Sequence, residues 1–262
     1  MTPEASEKPD FFAAVRGAAH SILLLDYDGS MAPFRVDRFQ ARPYAGVREL
    51  LARIQSLGRT RMAVITGRPA AEIGPLLALP SPLEVWGLHG AERLYADGRR
   101  KLDQPSPQTL KHLEEVRAQL RRDSFGGLFE DKPNAAVMHW RGVSRQKARA
   151  IEQKTRKLFD SVARRDGLRL LEFESGVELR VGRDKGGAVE AILEDSEAGA
   201  PVAYVGDDLT DESAFRAVNA SGRPGLSVLM RRTRRETAAD VWLRPPADLK
   251  MFLKKWVIAQ DG

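Results

Sequence analysis

The chain has 262 residues, 42% of them hydrophobic and 30% charged, with 42 basic against 36 acidic side chains and a net charge of +6. That length builds a real core in one large domain or two modest ones without disulfide or metal staples. The absence of cysteine excludes a disulfide framework, thiolate zinc and iron–sulfur sites and a thiol nucleophile, and fits a reducing cytoplasm. The longest apolar runs, such as Ile22 to Leu25 and Val202 to Val205, fall far short of the roughly 20 residues that span a bilayer. The opening MTPEASEKPDFF is acidic and polar where a signal peptide is basic and then apolar, so no targeting element is expected. Positive charge is interleaved with acids along most of the chain, which reads as a solvated surface; the dense exception is Arg231-Arg232-Thr233-Arg234-Arg235.

In chain order, a short helix is expected from Phe11 to Ala19, then a strand at Ile22 to Leu25 ending at Asp26. Tyr44, Val47, Leu50, Leu51, Ile54 and Leu57 recur at spacings of three and four, which predicts an amphipathic helix closed by Gly58. A second strand, Met62 to Ile65, ends at Thr66. From about Pro105 the pattern changes to a helix through Leu110, Leu113, Val116 and Leu120, a strand at Ala135 to Trp140, and a basic helix from Arg145 to Arg164. A hairpin over Leu168 to Val181 turns at Ser175-Gly176. Helical periodicity resumes at Gly186 to Leu193, followed by a third buried strand, Val202 to Val205, which ends at Gly206-Asp207-Asp208. Short strands at Leu226 to Met230 and Asp240 to Leu243 and a helix at Leu249 to Trp256 close the chain.

Continuous apolar runs suit strands buried on both faces, and strand–helix–strand order predicts a parallel sheet whose ligands bind beyond the carboxyl ends of the strands. The middle segment lacks that alternation and reads as an α+β insert. It carries +4 of the net +6 between residues 105 and 178.

Asp26-Tyr27-Asp28-Gly29-Ser30 follows the first strand, so one carboxylate points into the crevice while Tyr27 points away. Taken alone this segment is equally a turn or half a calcium loop. Asp207, Asp208, Asp211 and Glu212 crowd four acids into six residues, which costs stability unless a cation sits there or the acids cap a helix; capping is the favoured reading for Asp211 and Glu212. With Asp26 and Asp28 at one strand end and Asp207 at another, an oxygen-ligand site for Mg²⁺ is economical. The four histidines form no zinc-like pair. Thr66-Gly67-Arg68 and Lys185 are placed to meet a phosphoryl group, although the first is also a respectable turn and a single Lys is usually a surface charge.

In combination, LLLDYDGSMAPF, AVITGRP, RDKGGAV and YVGDDLTDESAF resemble, in order, the four motifs of the haloacid dehalogenase superfamily of phosphatases. More narrowly, GLHGAE at Gly87 to Glu92, EDKPNAAVMHWR at Glu130 to Arg141 and GVELRV around Glu178 resemble the trehalose-6-phosphate phosphatases, from about residue 20 onward. Ser30, Thr66 and Trp140 stand where Thr, Ser and Tyr are commoner in that family, and each substitution keeps the chemical function. The resemblance implies an α/β fold: a Rossmann-like parallel-sheet haloacid dehalogenase core of residues 1–104 and 182–262, with an inserted α+β cap of residues 105–181.

It further implies that Asp26 is the nucleophile, Asp28 the general acid and then base, and Thr66 and Lys185 the phosphoryl-oxygen ligands. Mg²⁺ would be held by Asp26, Asp28 through its backbone carbonyl, and Asp207, with Asp208 and Asp211 around its water shell. Ser30, Arg68, His89, Glu130, Lys132, His139, Arg141 and Glu178 are the implied substrate-binding positions, with specificity in a mobile cap that excludes water. The expected enzyme is a cytoplasmic, monomeric Mg²⁺-dependent phosphatase of the sugar phosphate trehalose 6-phosphate, with neither nucleic acid nor membrane as partner. Another glycosyl phosphate, such as glucosylglycerol phosphate or mannosylglycerate phosphate, would use the same core. A phosphomutase and a phospho-accepting regulatory module remain alternatives.

Overall fold

A computed structural model describes residues 11–123, 128–132, 135–162, 167–173 and 176–261. The chain divides into two compact units, Met1–Leu102 with Lys185–Gly262, and Asp103–Asp184. The first begins with α1 (Phe11–Gly17), β1 (Ser21–Leu25), α2 (Val47–Leu57), β2 (Thr60–Ile65), α3 (Ile73–Leu77), β3 (Glu84–Gly87), β4 (Glu92–Leu94) and β5 (Arg100–Leu102). The second holds α4 (Pro107–Arg122), β6 (Phe129–Lys132), β7 (Ala135–His139), α5 (Arg145–Asp160), β8 (Leu168–Phe173) and β9 (Gly176–Val181). The chain then returns to the first unit with α6 (Lys185–Glu194), β10 (Val202–Gly206), α7 (Glu212–Ala220), β11 (Gly225–Met230), β12 (Val241–Leu243) and α8 (Ala247–Asp261).

The first unit is built on an eight-stranded sheet of order β12-β11-β10-β1-β2-β3-β4-β5. It is parallel from β12 to β3 and antiparallel at β4 and β5. Side chains alternate along each strand, so Leu23, Leu25, Val64, Ala203 and Val205 enter one core with α2, α3 and α8. Ile22, Leu24, Ala63, Ile65, Val202 and Tyr204 enter the other with α6 and α7. Burial on both faces is why these strands read as unbroken apolar runs. Phe11 and Phe12 of α1 join Phe252 and Trp256 of α8 in an aromatic cluster, with ring centres 5.6–6.5 Å apart.

The second unit is a four-stranded antiparallel sheet, β6-β7-β9-β8. Leu113, Val116 and Leu120 of α4 and Ile151 and Phe159 of α5 pack with Ala136, Met138, Val177 and Leu179 from one sheet face. Ser106 caps α4 by accepting from the Thr109 N–H at 3.1 Å, with Pro107 at the first helical position.

Several element boundaries differ from the sequence expectation. Tyr44 lies outside α2, which starts at Val47 after Gly46 in the left-handed conformation, and its N–H donates to the Met31 carbonyl at 3.0 Å. α5 ends at Asp160, and Arg164 and Ser175, the expected helix end and turn residue, lie outside the described residues. β7 stops at His139, so Trp140 and Arg141 are not strand residues. α3, β3, β4 and β5 went unpredicted: β3 starts on Glu84, β4 and β5 have three residues each, and β5 is exposed throughout, leaving no period to read. Among the described residues no helix is long and apolar enough to cross a membrane.

Candidate active site

The register of the central strands brings the motifs together. Leu25 pairs with Val205 on one side and Val64 on the other. Asp26, Thr66 and Asp207 therefore leave β1, β2 and β10 at the same sheet edge, which is the carboxyl edge where parallel sheets bind ligands. The Asp26 N–H donates to the Val205 carbonyl at 2.8 Å, tying the β1 exit to β10. Lys185, the first residue of α6, reaches across to donate to Asp26 Oδ1 at 2.8 Å and Asp211 Oδ1 at 2.7 Å. All three groups are at most 5% exposed. Ser30 donates to the second Asp26 oxygen at 3.2 Å.

Asp211 is saturated. Its Oδ1 also accepts from the Tyr204 hydroxyl at 2.5 Å, and its Oδ2 accepts from the N–H groups of Asp207 and Asp208 at 3.0 and 2.9 Å. It thus shapes the Asp207-Asp208 turn and aims Lys185. Asp208 accepts from the Leu209 N–H at 2.7 Å and completes a capping box with Asp211. Glu212 departs from the capping expectation: its carboxylate accepts from Arg235, the Thr237 hydroxyl at 2.8 Å and the Ala238 N–H at 2.8 Å. It anchors the segment after β11, while Asp211 holds the N-cap position of α7 without a side-chain cap bond.

Asp26, Asp207 and Asp211 each offer a carboxylate oxygen within 4.8 Å of the others, all buried; no other group of three metal-ligating side chains among the described residues lies as close. Burial pushes the Asp26 carboxyl up to about 7, against the pull of Lys185 and with help from Asp211. Burial, then Asp26 and Asp211, pushes Asp207 up to about 9. Burial alone lowers a lysine, yet Asp211 and Asp26 hold Lys185 above its ordinary value. Three buried carboxylates share one ammonium, so the cluster is short of positive charge.

The Asp207 side chain accepts no hydrogen bond among the described residues. It lies against the Gly29 Cα, where a Cβ would come within 2.0 Å of Asp207 Oδ2. Gly29 also sits at φ +85°, so glycine is required there twice over. Oxygen-only donors, a charge deficit and an unengaged buried carboxylate fit a hard divalent cation such as Mg²⁺.

On the β2 side, Thr66 is 1% exposed and its Oγ1 accepts from the Arg68 N–H at 3.2 Å, so the turn expected of Thr66-Gly67-Arg68-Pro69 forms around the hydroxyl. His89 donates its N–H to the Thr66 carbonyl at 2.8 Å. Its ring lies on Gly67, where a Cβ would come within 2.7 Å of Nε2. Leu88 and His89 are both left-handed, at φ 50° and 59°, a conformation that costs of order 1–3 kcal/mol per residue and persists where surroundings over-determine it. Arg68 turns its guanidinium onto Asp28, with Nε to Oδ2 and Nη2 to Oδ1 both at 2.6 Å.

In the second unit, antiparallel pairing puts Glu130, Val137 and Glu178 in one row and Lys132, Ala135 and Arg180 in the next. This is the sheet face opposite the helices. His139 Nε2 lies 2.9 Å from Glu130, and Lys132 Nζ lies 3.8 Å from Glu130 and 3.5 Å from Glu178. Of the five substrate-binding positions expected in this unit, Glu130, Lys132, His139, Arg141 and Glu178, four are thereby gathered. Arg141 is not: it is exposed in the turn after β7 and makes no ion pair among the described residues.

A family model of trehalose-phosphatases matches residues 24–245. The chain belongs to the trehalose-phosphatase family. A trehalose-phosphate phosphatase of Mycobacterium marinum is 30% identical over 265 residues, covering 95% of this chain, which spans 63% of that protein's length. The solved structure of a trehalose-6-phosphate phosphatase from Aspergillus fumigatus has a TM-score of 0.76 at 22% identity, with 96% of each chain covered. A phosphatase of the HAD superfamily from Bacteroides thetaiotaomicron has a TM-score of 0.65 at 16% identity, covering 97% of this chain and 99% of that one. The fold is that of the haloacid dehalogenase superfamily.

Against this trehalose-phosphatase framework, two polar residues went unread in the sequence. Tyr204 lies inside the apolar run of β10, three residues before Asp207, and its signal is a buried phenol that must find an acceptor, which Asp211 supplies. Arg180 is 6% exposed and 3.6 Å from Glu178; alternation from Glu178 along GVELRV places both on one face, which was the available clue.

Proposed function

We propose that the chain hydrolyses trehalose 6-phosphate to trehalose and phosphate through an aspartyl phosphate on Asp26, with Mg²⁺ as cofactor. The observation that carries this reading is the buried Asp26–Lys185–Asp211 chain beside the unengaged Asp207. A nucleophilic carboxylate needs a fixed direction and relief from the negative charge of its target. Lys185 and Ser30 supply the direction.

Asp26 attacks phosphorus, the bond from phosphorus to the sugar oxygen breaks, and Asp28 delivers a proton to that oxygen. Water then attacks the same phosphorus as Asp28 takes its proton, which frees phosphate and restores Asp26. Thr66 and Lys185 bind the phosphoryl oxygens. Asp26, the Asp28 backbone carbonyl and Asp207 would hold the Mg²⁺, which when bound neutralises charge between nucleophile and phosphate. Asp208 and Asp211 keep the surrounding turn in shape.

Glu130, Lys132, His139 and Glu178 supply the sugar contacts in this reading, since directed charged groups discriminate an array of hydroxyls better than apolar walls do. Family membership and the similar trehalose-phosphate phosphatases favour trehalose 6-phosphate over other glycosyl phosphates. A cysteine-free chain suits a cytoplasmic setting; a monomer is the working assumption.

The test is phosphate release by purified protein with Mg²⁺ on trehalose 6-phosphate, glucose 6-phosphate, glucosylglycerol phosphate and mannosylglycerate phosphate. Preference for trehalose 6-phosphate, abolished by EDTA and by Asp26→Asn, is expected. Preference for another sugar phosphate would remove the substrate assignment and keep the core chemistry. No turnover on any would remove the hydrolase.

A further inference from the structure

Arg68 stands in TGRP, within the hydroxyl turn, where the family resemblance implies a substrate contact. Its donors are otherwise engaged. Nε and Nη2 grip both oxygens of Asp28 at 2.6 Å, and Nη1 donates to the Arg38 carbonyl at 2.8 Å. The guanidinium carbon lies 5.5 Å from the Tyr27 ring centre, and Glu72 approaches to 3.7 Å. The Arg68 side chain is 7% exposed and that of Asp28 25%. Tyr27 is itself fixed, fully buried with its hydroxyl donating to the Ala41 carbonyl at 2.7 Å.

We propose that Arg68 is a positioning residue that sets the direction of the Asp28 carboxylate, and is not a phosphoryl ligand. The proposal rests on the reading of Asp28 as acid and base. A planar guanidinium fork matches a carboxylate in two parallel bonds and fixes its plane, which a lysine ammonium does not do. Apart from Asp28, Arg68 is held by the Arg38 carbonyl, the Tyr27 ring and Glu72. Asp28 has only Arg68 among the described residues, so when the pair opens Asp28 swings and Arg68 stays. With both oxygens accepting from Arg68, Asp28 is arranged as it must be after giving up its proton, ready to take one from water. For the next turnover one of the two bonds opens and that oxygen carries the proton to the sugar oxygen. Aim matters in both steps, because a general acid or base works only within hydrogen-bond reach of its proton.

Leaving-group chemistry separates this role from substrate binding. p-Nitrophenolate departs without a proton, so aspartyl phosphate formation from p-nitrophenyl phosphate does not need Asp28, while its hydrolysis does. In Arg68→Lys, p-nitrophenyl phosphate should give a burst of about one p-nitrophenol per enzyme at a rate within about 3-fold of wild type. A steady rate lowered about 10-fold or more should follow. Trehalose 6-phosphate should show a similar fall in kcat, no burst and a KM within about 3-fold. Arg68→Ala should respond like Arg68→Lys and recover on addition of guanidinium; should it fail to fold, the lysine variant decides by itself.

A slowed burst, or a raised KM with kcat unchanged, would return Arg68 to the substrate and overturn the proposal. Asp28→Asn run alongside separates the two layers. If it shows the burst and Arg68→Lys does not, the positioning role falls alone. If Asp28→Asn shows none, the acid–base reading of Asp28 falls and the proposal with it.

Discussion

Lys185 and Lys132 face the same task in opposite settings. Lys185, 3% exposed, bonds two carboxylates at 2.8 and 2.7 Å, and one of those carboxylates is held by three further donors. Lys132, 43% exposed, reaches its two carboxylates only at 3.8 and 3.5 Å on the sheet face opposite α4 and α5. Burial makes the first cluster over-determined: each group is fixed by the others, and a low-dielectric setting makes every misplacement costly. Exposure makes the second cluster adjustable, because water substitutes for any bond that is not made. Bond making at phosphorus requires the first kind of site, and holding a ring of sugar hydroxyls tolerates the second.

The contrast breaks most sharply at Lys185. Lys185→Met should lower kcat about 10³-fold or more and destabilise the fold by about 3 kcal/mol, because it strands two buried carboxylates. Turnover and chemical denaturation measure both effects; a stable, active variant would mean that the cluster is not interlocked. In the second unit, Glu178→Gln should lower kcat/KM for the sugar phosphate about 10-fold or more and leave p-nitrophenyl phosphate turnover within about 3-fold. Its melting temperature should fall only slightly, because Glu178, although 13% exposed, meets Lys132 and Arg180 only at 3.5 and 3.6 Å. Arg141→Ala, lying outside the cluster, should move kcat/KM by less than about 3-fold; a loss equal to that of Glu178→Gln would show that the turn after β7 belongs to the sugar site.

The smallest expected effect is on the pH dependence of stability. Burial, with the charge of Asp211, raises Asp26 to about 7, and burial, with the charges of Asp26 and Asp211, raises Asp207 to about 9. Each group is therefore protonated in the fold over a range where the unfolded chain has lost the proton. Stability is present below the ordinary carboxylate value and is lost as pH rises toward the folded value. In EDTA the melting temperature should fall between about pH 5 and pH 9, and added Mg²⁺ should flatten that slope. Identical slopes with and without Mg²⁺ would mean that the ion does not meet these carboxylates.

Much of the molecule was legible before folding. β1, β2 and β10 read as buried parallel strands because both faces pack, and the charged groups at their ends follow from the sheet's polarity. Glu130, Lys132, His139 and Glu178 share a face because alternation places them there. Illegible were β3 to β5, too short or too polar to show a period, and Arg141, whose place on the β7 face was lost when the strand stopped two residues early.

The sequence by itself determined the order of strands and helices, the motifs at the strand ends and the class of chemistry, because these depend on local period and residue type. Only the tertiary structure decided partners. Asp211 takes Tyr204 and Lys185, Glu212 takes Arg235 and its neighbours, and Arg68 takes Asp28, each across 7 to 40 residues of chain. A charged side chain in a sequence carries no address for its counter-ion. Burial supplies one, because an acid or base removed from water must take whichever opposite group the packing brings within reach.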